Sequence, residues 1–349
     1  MNFGIDALRP ENKIMRNAFF AFLHVLSVPA ILRKLKVKNR EVTVLMFHRI
    51  GNICDPLWPS ISISSFASLM RELSLRACVI PLEKVDEIEI YPDKPLVALS
   101  FDDGYMDFFY NALPALAEFG LPAHHNICPS LIDKKIPPWT QIVNSFFQWN
   151  KGNKLVELPD GSVYRTGKAF SEKDFLYICN KLYNIDDTAR HNWVNSLMKA
   201  MPPSIMPELM NWDEIRECAR CGIHIGSHGM SHVNMSKIEN NDTLHAEIID
   251  SKARIYKEVG IEPAMFAFPN GLYSLLSMEM VKKAGYKIAL LCGDQVTLFT
   301  DDMGKKNFFI LPRVNICRDY WKEENLRFLG FHQRLKSYFR NKPYVRQEL

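Results

Sequence analysis

Between residues 42 and 316, short apolar runs alternate with stretches of helical periodicity, and this rhythm constrains the fold more than any other feature of the chain. Residues 42–47 (VTVLMF) and 95–101 (PLVALSF) read as buried strands, each too short for a core helix. Residues 64–76 carry Phe66, Leu69, Met70 and Leu73 at helical spacing, behind Ser64 or Ser65 as a cap. A helix over 111–119, closed by Gly120, and a strand over 121–127 follow. The pattern resumes with helix 212–220, strand 222–227, helix 242–259, strand 264–268, helix 277–284 and strands 286–291 and 308–316. Repeated βα units imply a parallel sheet with helices outside, open or closed into a barrel. Chemistry in such folds sits at the C-terminal ends of the strands.

Residues 130–210 break the rhythm. A hairpin is expected over 156–164, turning at Pro159-Asp160-Gly161, with helices over 173–182 and 189–198. This stretch reads as an insertion after an early strand, of the kind that shapes substrate sites. With 349 residues, 47% of them hydrophobic, and no internal repeat, the chain has material for one large core.

Charge is unevenly spread. Residues 1–40 hold eight Lys/Arg against two acids, a net of +6, and residues 318–349 hold eight against four, a net of +4. The whole chain carries +4, so its middle is acidic. The two ends read as a basic amphipathic N-terminal segment and a basic C-terminal tail around a barrel domain at 41–317. Basic ends suit an anionic surface, and the interleaved apolar residues favour a membrane over nucleic acid. Residues 17–32 (NAFFAFLHVLSVPAIL) are short for a bilayer span and contain His24 and Pro29. They read either as a helix lying in the membrane interface or as an ordinary helix packed on the domain.

No small-residue cleavage site follows residues 17–32, which argues against export. Most of the eight cysteines, Cys54, Cys78, Cys128, Cys179, Cys218, Cys221, Cys292 and Cys317, have apolar neighbours, as thiols of a reducing compartment do. Cys218 and Cys221 form a lone CxxC with no second pair to complete a zinc ribbon. The expected location is cytoplasmic, at the inner face of a membrane.

Two segments carry chemistry. Ser100-Phe101-Asp102-Asp103-Gly104-Tyr105 ends a buried strand, where adjacent carboxylates are costly unless a cation pairs with them. Gly226-Ser227-His228-Gly229-Met230-Ser231-His232 ends another strand, and its two histidines are spaced to reach one ion. One carboxylate, two imidazoles and an open position suit a hydrolytic metal site, leaving the second carboxylate to take a proton.

These segments resemble the first two signature motifs of the polysaccharide deacetylases, carbohydrate esterase family four. Trp212-Asp213-Glu214 leading into the second motif, Phe47-His48-Arg49, and Phe266-Ala267-Phe268-Pro269-Asn270-Gly271 match further landmarks. The resemblance covers roughly residues 42–317 and fits the insertion poorly. It implies an α/β fold, a distorted (β/α) barrel of about seven parallel strands. It also implies a divalent metal, usually zinc, and removal of acetyl groups from N-acetylated sugars. By the resemblance, Asp103, His228 and His232 bind the metal, Asp102 is the base, and the Asn270 N–H stabilises the oxyanion.

The chain departs from the family pattern in two places. The third motif often has an arginine two residues before its proline, where this chain has Ala267. Arg313, in Leu311-Pro312-Arg313-Val314, is the candidate to reach the same place, with a surface salt bridge as the plain alternative. The late Leu-x-His that supplies the general acid is absent. His48 is the leading replacement, ahead of His124 and His125. His224 reads as a buried structural histidine. Trp139, Trp212 and Tyr273 are candidates for stacking on a sugar, with core packing favoured for Trp212. The expected substrate is an N-acetylated sugar of a polysaccharide or a lipid-linked glycan. An O-acetyl esterase or non-sugar amidase on the same site, and a glycan-binding protein with a dead site, are the alternatives.

Overall fold

The computed structural model describes residues 13–52, 60–300, 308–316, 318–340 and 345–346. Cys54 and Cys317 lie outside them, as do residues 1–12 of the basic N-terminal segment. The strands, in chain order, are β1 Glu41–Phe47, β2 Cys78–Val79, β3 Leu96–Asp102, β4 Ala123–Ile127, β5 Leu155–Glu157, β6 Val163–Arg165, β7 Ile223–Ser227, β8 Met265–Ala267, β9 Ile288–Cys292, β10 Val296–Leu298, β11 Phe309–Asn315 and β12 Val345–Arg346. Seven of them form a closed parallel barrel in the order β1-β3-β4-β7-β8-β9-β11. Closure comes from β1, which pairs Val42 to Phe47 with Leu96 to Phe101 of β3, and Val44 to Met46 with Arg313 to Asn315 of β11. β2 extends the sheet beside β3, and β10 runs antiparallel to β1.

The period of two along a strand decides what faces inward. On β3, Val97, Leu99 and Phe101 join the core beneath the outer helices, while Leu96 and Ala98 join a second cluster with Val42, Val44, Met265, Ile288, Leu290, Phe309 and Leu311. By the same alternation, Ser100 and Asp102 continue the second face toward the C-terminal end, as do Asn126 on β4, Gly226 on β7 and Arg313 on β11. The apolar lower half of the barrel thus gives way to a polar upper half, and this change positions the site.

The outer helices form where the sequence spacing puts them, with ends shifted by one to three residues. The helix after β3 begins earlier than expected, with a π turn at Phe108–Ala112 leading into Leu113–Phe119, and Gly120 closes it at φ 61°. Residues 130–210 build a satellite layer with its own core, in which Ile142, Phe147, Phe170, Ile178, Leu182 and Leu197 meet. The expected hairpin is the β5–β6 pair.

The basic C-terminal tail expected over 318–349 is not a tail where it is described. Helices Trp321–Phe328 and Phe331–Arg340 form, and β12 pairs with β10. Leu326, Phe328 and Leu329 are buried in the main core. The nearby charges are offset by pairing, Glu323 with Arg16 at 3.1 Å, Glu324 with Arg327 at 3.3 Å and Lys336 with Asp294 at 3.1 Å.

The N-terminal segment forms helices α1 Lys13–Val25 and α2 Val28–Lys38, bent 66° to each other. Among the described residues, no single helix is long and apolar enough to cross a membrane. α2 is anchored by Lys36, fully buried, whose Nζ donates to Thr43 Oγ1 at 2.6 Å and Glu41 Oε2 at 3.1 Å at the start of β1.

Candidate active site

Asp102 is the last residue of β3 and points into the barrel, where it is 1% exposed. Its Oδ1 accepts from Arg313 Nη1 at 2.8 Å and from Asn126 Nδ2 at 2.8 Å. Arg313 also donates to Ser100 Oγ at 3.0 Å. The alternative of a surface salt bridge for Arg313 is therefore corrected: the residue is fully buried, because its position on β11 shares the inward face with Leu311. Burial alone would raise the Asp102 carboxyl, but the charges of Arg313 and then His228 outweigh it and hold the group well below the ordinary carboxylate range.

The chain turns sharply after Asp102. Asp103 and Gly104 have φ of 77° and 81°, a conformation that glycine accepts and aspartate adopts at some cost. This turn carries the Asp103 carboxylate to the mouth of the barrel. Its Oδ1 is buried with no hydrogen-bond partner, 3.6 Å from His228 Nε2 and 3.5 Å from His232 Nε2. Burial raises this carboxyl; the charges of His48 and His228 oppose the rise, and that of Asp102 adds to it.

His228 follows β7. Its Nδ1 lies 2.7 Å from the Ala267 carbonyl oxygen. A carbonyl only accepts, so Nδ1 carries the proton and Nε2 presents a lone pair to Asp103. His232 sits at φ 61°, at the end of a loop held by Glu247, which accepts from the backbone N–H groups of Met230 at 2.8 Å and Ser231 at 3.0 Å. Glu247 projects from a π turn, Ala246–Asp250, between helices Asn241–His245 and Ser251–Val259. Such turns commonly aim a residue at a functional site. Burial lowers both His228 and His232 to about 4, so each is neutral near pH 7 and able to act as a ligand.

The ligand atoms of Asp103, His228 and His232 all lie within 4.8 Å of one another. An unpartnered buried carboxylate oxygen facing two neutral imidazoles has the donor set of a divalent cation site with open positions. The residues present fit the metal that the motifs imply.

The other sequence candidates fall as follows. His48 follows β1, half-buried, and its charge acts on Asp102, Asp103 and His232. Asn270 occupies the turn Pro269–Gly271 at φ 56°, three residues beyond Ala267, whose carbonyl holds His228, with its Nδ2 buried and unpartnered.

His124 and His125 do not end their strand. His124 stands near the start of β4, its Nε2 accepting the Leu82 N–H at 2.8 Å, and His125 Nε2 accepts the Gly104 N–H at 3.1 Å. Burial lowers the two to about 4 and about 3, so both act as neutral acceptors that hold backbone. His224 is corrected from buried to partly exposed, with Nδ1 3.3 Å from Glu83 Oε1. Glu83, His124 and His224 form a second tight cluster at the opposite end of the barrel. There the lone pair of His124 is already committed to Leu82.

Trp139 packs edge-on to Tyr183 under Arg190, and Trp212 donates from Nε1 to Asp133 at 2.7 Å under Arg254, both as packing residues. Tyr273 leans on Phe268. Asn126 and Glu247 were missed in the sequence. Asn126 had a signal, an amide near the end of a short strand, in register with Asp102 and Gly226 on the face that also holds His124.

A closed seven-stranded barrel with paired carboxylates and two histidines at its mouth defines a class of hydrolytic barrel. The family model for Polysaccharide deacetylase matches residues 90–289. The chain belongs to the polysaccharide deacetylase family, a class of hydrolases acting on acetylated sugars. Solved structures share the fold. Streptococcus pyogenes deacetylase PplD in complex with acetate superposes with a TM-score of 0.55 at 15% identity, over 83% of this chain and 98% of that one. IcaB from Ammonifex degensii gives 0.53 at 14%, over 83% and 97%. The putative polysaccharide deacetylase BA0330 from Bacillus anthracis gives 0.53 at 16%, over 83% and 69%. At these identities the likeness is one of fold. No curated protein sequence matches the chain.

Proposed function

We propose that the chain is a metal-dependent hydrolase that removes the acetyl group from an N-acetylated sugar of a polysaccharide or lipid-linked glycan, with zinc as the cation. One observation carries this reading: the buried, unpartnered Asp103 Oδ1 faces His228 Nε2 and His232 Nε2, beside an Asp102 that is paired separately. Asp103, His228 and His232 would hold a divalent cation, which would supply Lewis-acid polarisation of the acetyl carbonyl and acidify water near neutral pH.

Asp102 is the base in this mechanism. Its Oδ1 is taken up by Arg313 and Asn126, while Oδ2 lies 3.8 Å from His228 Nε2 and faces the site. Oδ2 accepts the proton of the attacking water. Arg313 and Asn126 orient the carboxylate and keep it ionised. The Asn270 N–H donates to the oxygen that gains charge in the transition state. His48 protonates the leaving amine, a reading supported by its electrostatic reach to Asp102 and Asp103 from the neighbouring strand.

Acetate release from N-acetylglucosamine oligomers and lipid-linked N-acetyl sugars tests the reading, after chelation and restoration of zinc. Metal-dependent release that is lost in His228→Ala supports it. Bound metal with silence on every N-acetyl sugar, and turnover only on O-acetyl sugars or small amides, overturns it in favour of an esterase or a non-sugar amidase. Silence on all of them leaves a glycan-binding role.

A further inference from the structure

Helix α1 turns most of its large apolar side chains away from the barrel. A surface helix of a soluble domain turns its apolar stripe toward the core and its polar residues toward water. Against the barrel α1 sets Arg16, which pairs with Glu323 at 3.1 Å, and His24, whose Nε2 lies 3.0 Å from the Lys322 carbonyl oxygen, beside buried Phe20 and half-buried Leu23. Its outer face carries Ile14, Met15, Phe19, Phe22 and Val25, joined by Leu26 in the turn that follows, between 40% and 79% exposed. The stripe continues onto α2 through Ile31, 57% exposed, and then through exposed Lys34 and Lys38 on the same face. Residues 13–40 contain no Asp or Glu.

We propose that this face is the seat of the protein on an anionic lipid bilayer, with α1 lying in the interface and Lys34 and Lys38 of α2 among the headgroups. Contiguous apolar side chains beside lysines match the in-plane amphipathic arrangement. Each lysine near such a surface adds electrostatic attraction that salt screens. Two copies of the chain meeting face to face would bring like charges together, so charge favours lipid over self-association. The free cysteines among the described residues suit the cytoplasmic leaflet, where anionic lipid is concentrated.

The N-terminal end of the seat lies toward the catalytic end of the barrel. The first residue of α1, Lys13, lies 4.0 Å from Asp319, whose carboxylate accepts the N–H of Ser62 at 3.0 Å. Ser62 caps helix α3, Ile63–Arg76, at the end of the loop that leaves β1 through His48. Resting on the deacetylase reading, lipid then meets the flank of the barrel, with the Lys13 end of α1 on the side of the mouth and α2 running to the start of β1 at the opposite end, so a membrane-borne glycan reaches the mouth from beside it.

Vesicle flotation tests the seat without reference to turnover, so its failure is separable from failure of the deacetylase reading. The full chain is floated with phosphatidylcholine vesicles and with vesicles of phosphatidylcholine and phosphatidylglycerol at 7:3. Expected results are binding to the mixed vesicles that weakens with salt, a loss of about tenfold or more in Phe22→Glu/Val25→Glu, and a smaller loss in Lys34→Glu/Lys38→Glu. Thermal unfolding of both variants should match wild type, because these side chains point away from the barrel. Wild-type protein that stays unbound on both lipids overturns the proposal. So does a dimer dissolved by Phe22→Glu/Val25→Glu, which would mark the face as a contact between copies.

Discussion

Arg313 Nη1 donates to Asp102 Oδ1 at 2.8 Å, joining the last barrel strand to the strand that ends in Asp102. Both side chains are at most 1% exposed. Buried pairs of this kind give little net stability, but breaking one strands the other charge, at about 3–5 kcal/mol. Arg313→Met should therefore lower stability by that order and cut kcat by about 10²-fold, with zinc content unchanged. Arg313→Lys should rescue poorly, because a single ammonium cannot hold Ser100 and Asp102 as the guanidinium fork does. Steady-state kinetics, metal analysis and denaturant unfolding of the two variants check this.

Gly226 gives the site room. A Cβ placed there would overlap Asn126 Oδ1. Asn126 must swing away in Gly226→Ala and withdraw one of the donors on Asp102 Oδ1. Expected outcomes are a fall in kcat of tenfold or more and a stability loss of about 1–3 kcal/mol, with metal retained. Wild-type kcat in this variant would contradict a role for Asn126.

His48 is assigned to the leaving group, and leaving groups differ in need. An amine must be protonated as it departs, whereas 4-nitrophenolate leaves unaided. His48→Gln should reduce N-deacetylation by about 10²-fold or more and reduce 4-nitrophenyl acetate hydrolysis by less than tenfold. Equal losses on both substrates would remove His48 from that role.

Glu324 predicts a pH effect on folding. It is fully buried, its Oε1 accepts the Arg318 N–H at 2.6 Å, and burial raises it to about 7 despite Arg327 nearby. Its folded value lies above the unfolded one, so the folded state holds this proton more tightly. The contribution is fully present below about pH 4.5 and is lost as pH rises through about 7. Glu324→Gln cannot lose a proton. The stability of wild type relative to Glu324→Gln should fall by about 2–3 kcal/mol between pH 4.5 and pH 8, read by denaturant unfolding. A constant difference would contradict the assignment.

The barrel was legible because its strands are apolar on both faces and its helices amphipathic. Residues 42–47 and 95–101 could be little else. Asp102, Asp103, His228 and His232 stood out as polar groups ending apolar runs, and the fold brings those ends together. The inward reach of Arg313 was less legible, because one strand residue can face core or water and only closure of β1 onto β11 decides it.

Helix Trp139–Trp149 was missed although Trp139, Ile142, Val143, Phe146 and Phe147 keep helical spacing. Helix Trp321–Phe328 could not be read the same way. It buries Glu323, Glu324, Asn325 and Arg327, so its sequence looks solvated while its partners come from distant segments such as α1. The same distance hid the exposed face of α1, since a run such as Phe19 to Leu26 does not say which side meets the barrel.

The central claim is that two adjacent carboxylates divide the work, Asp103 holding the metal and Asp102 taking the proton. Zinc content and kcat measured together on Asp102→Asn and Asp103→Asn test it most directly. The account predicts one zinc per chain and no turnover for Asp102→Asn, and neither zinc nor turnover for Asp103→Asn. Loss of zinc from Asp102→Asn, or retained zinc and turnover in Asp103→Asn, would contradict it.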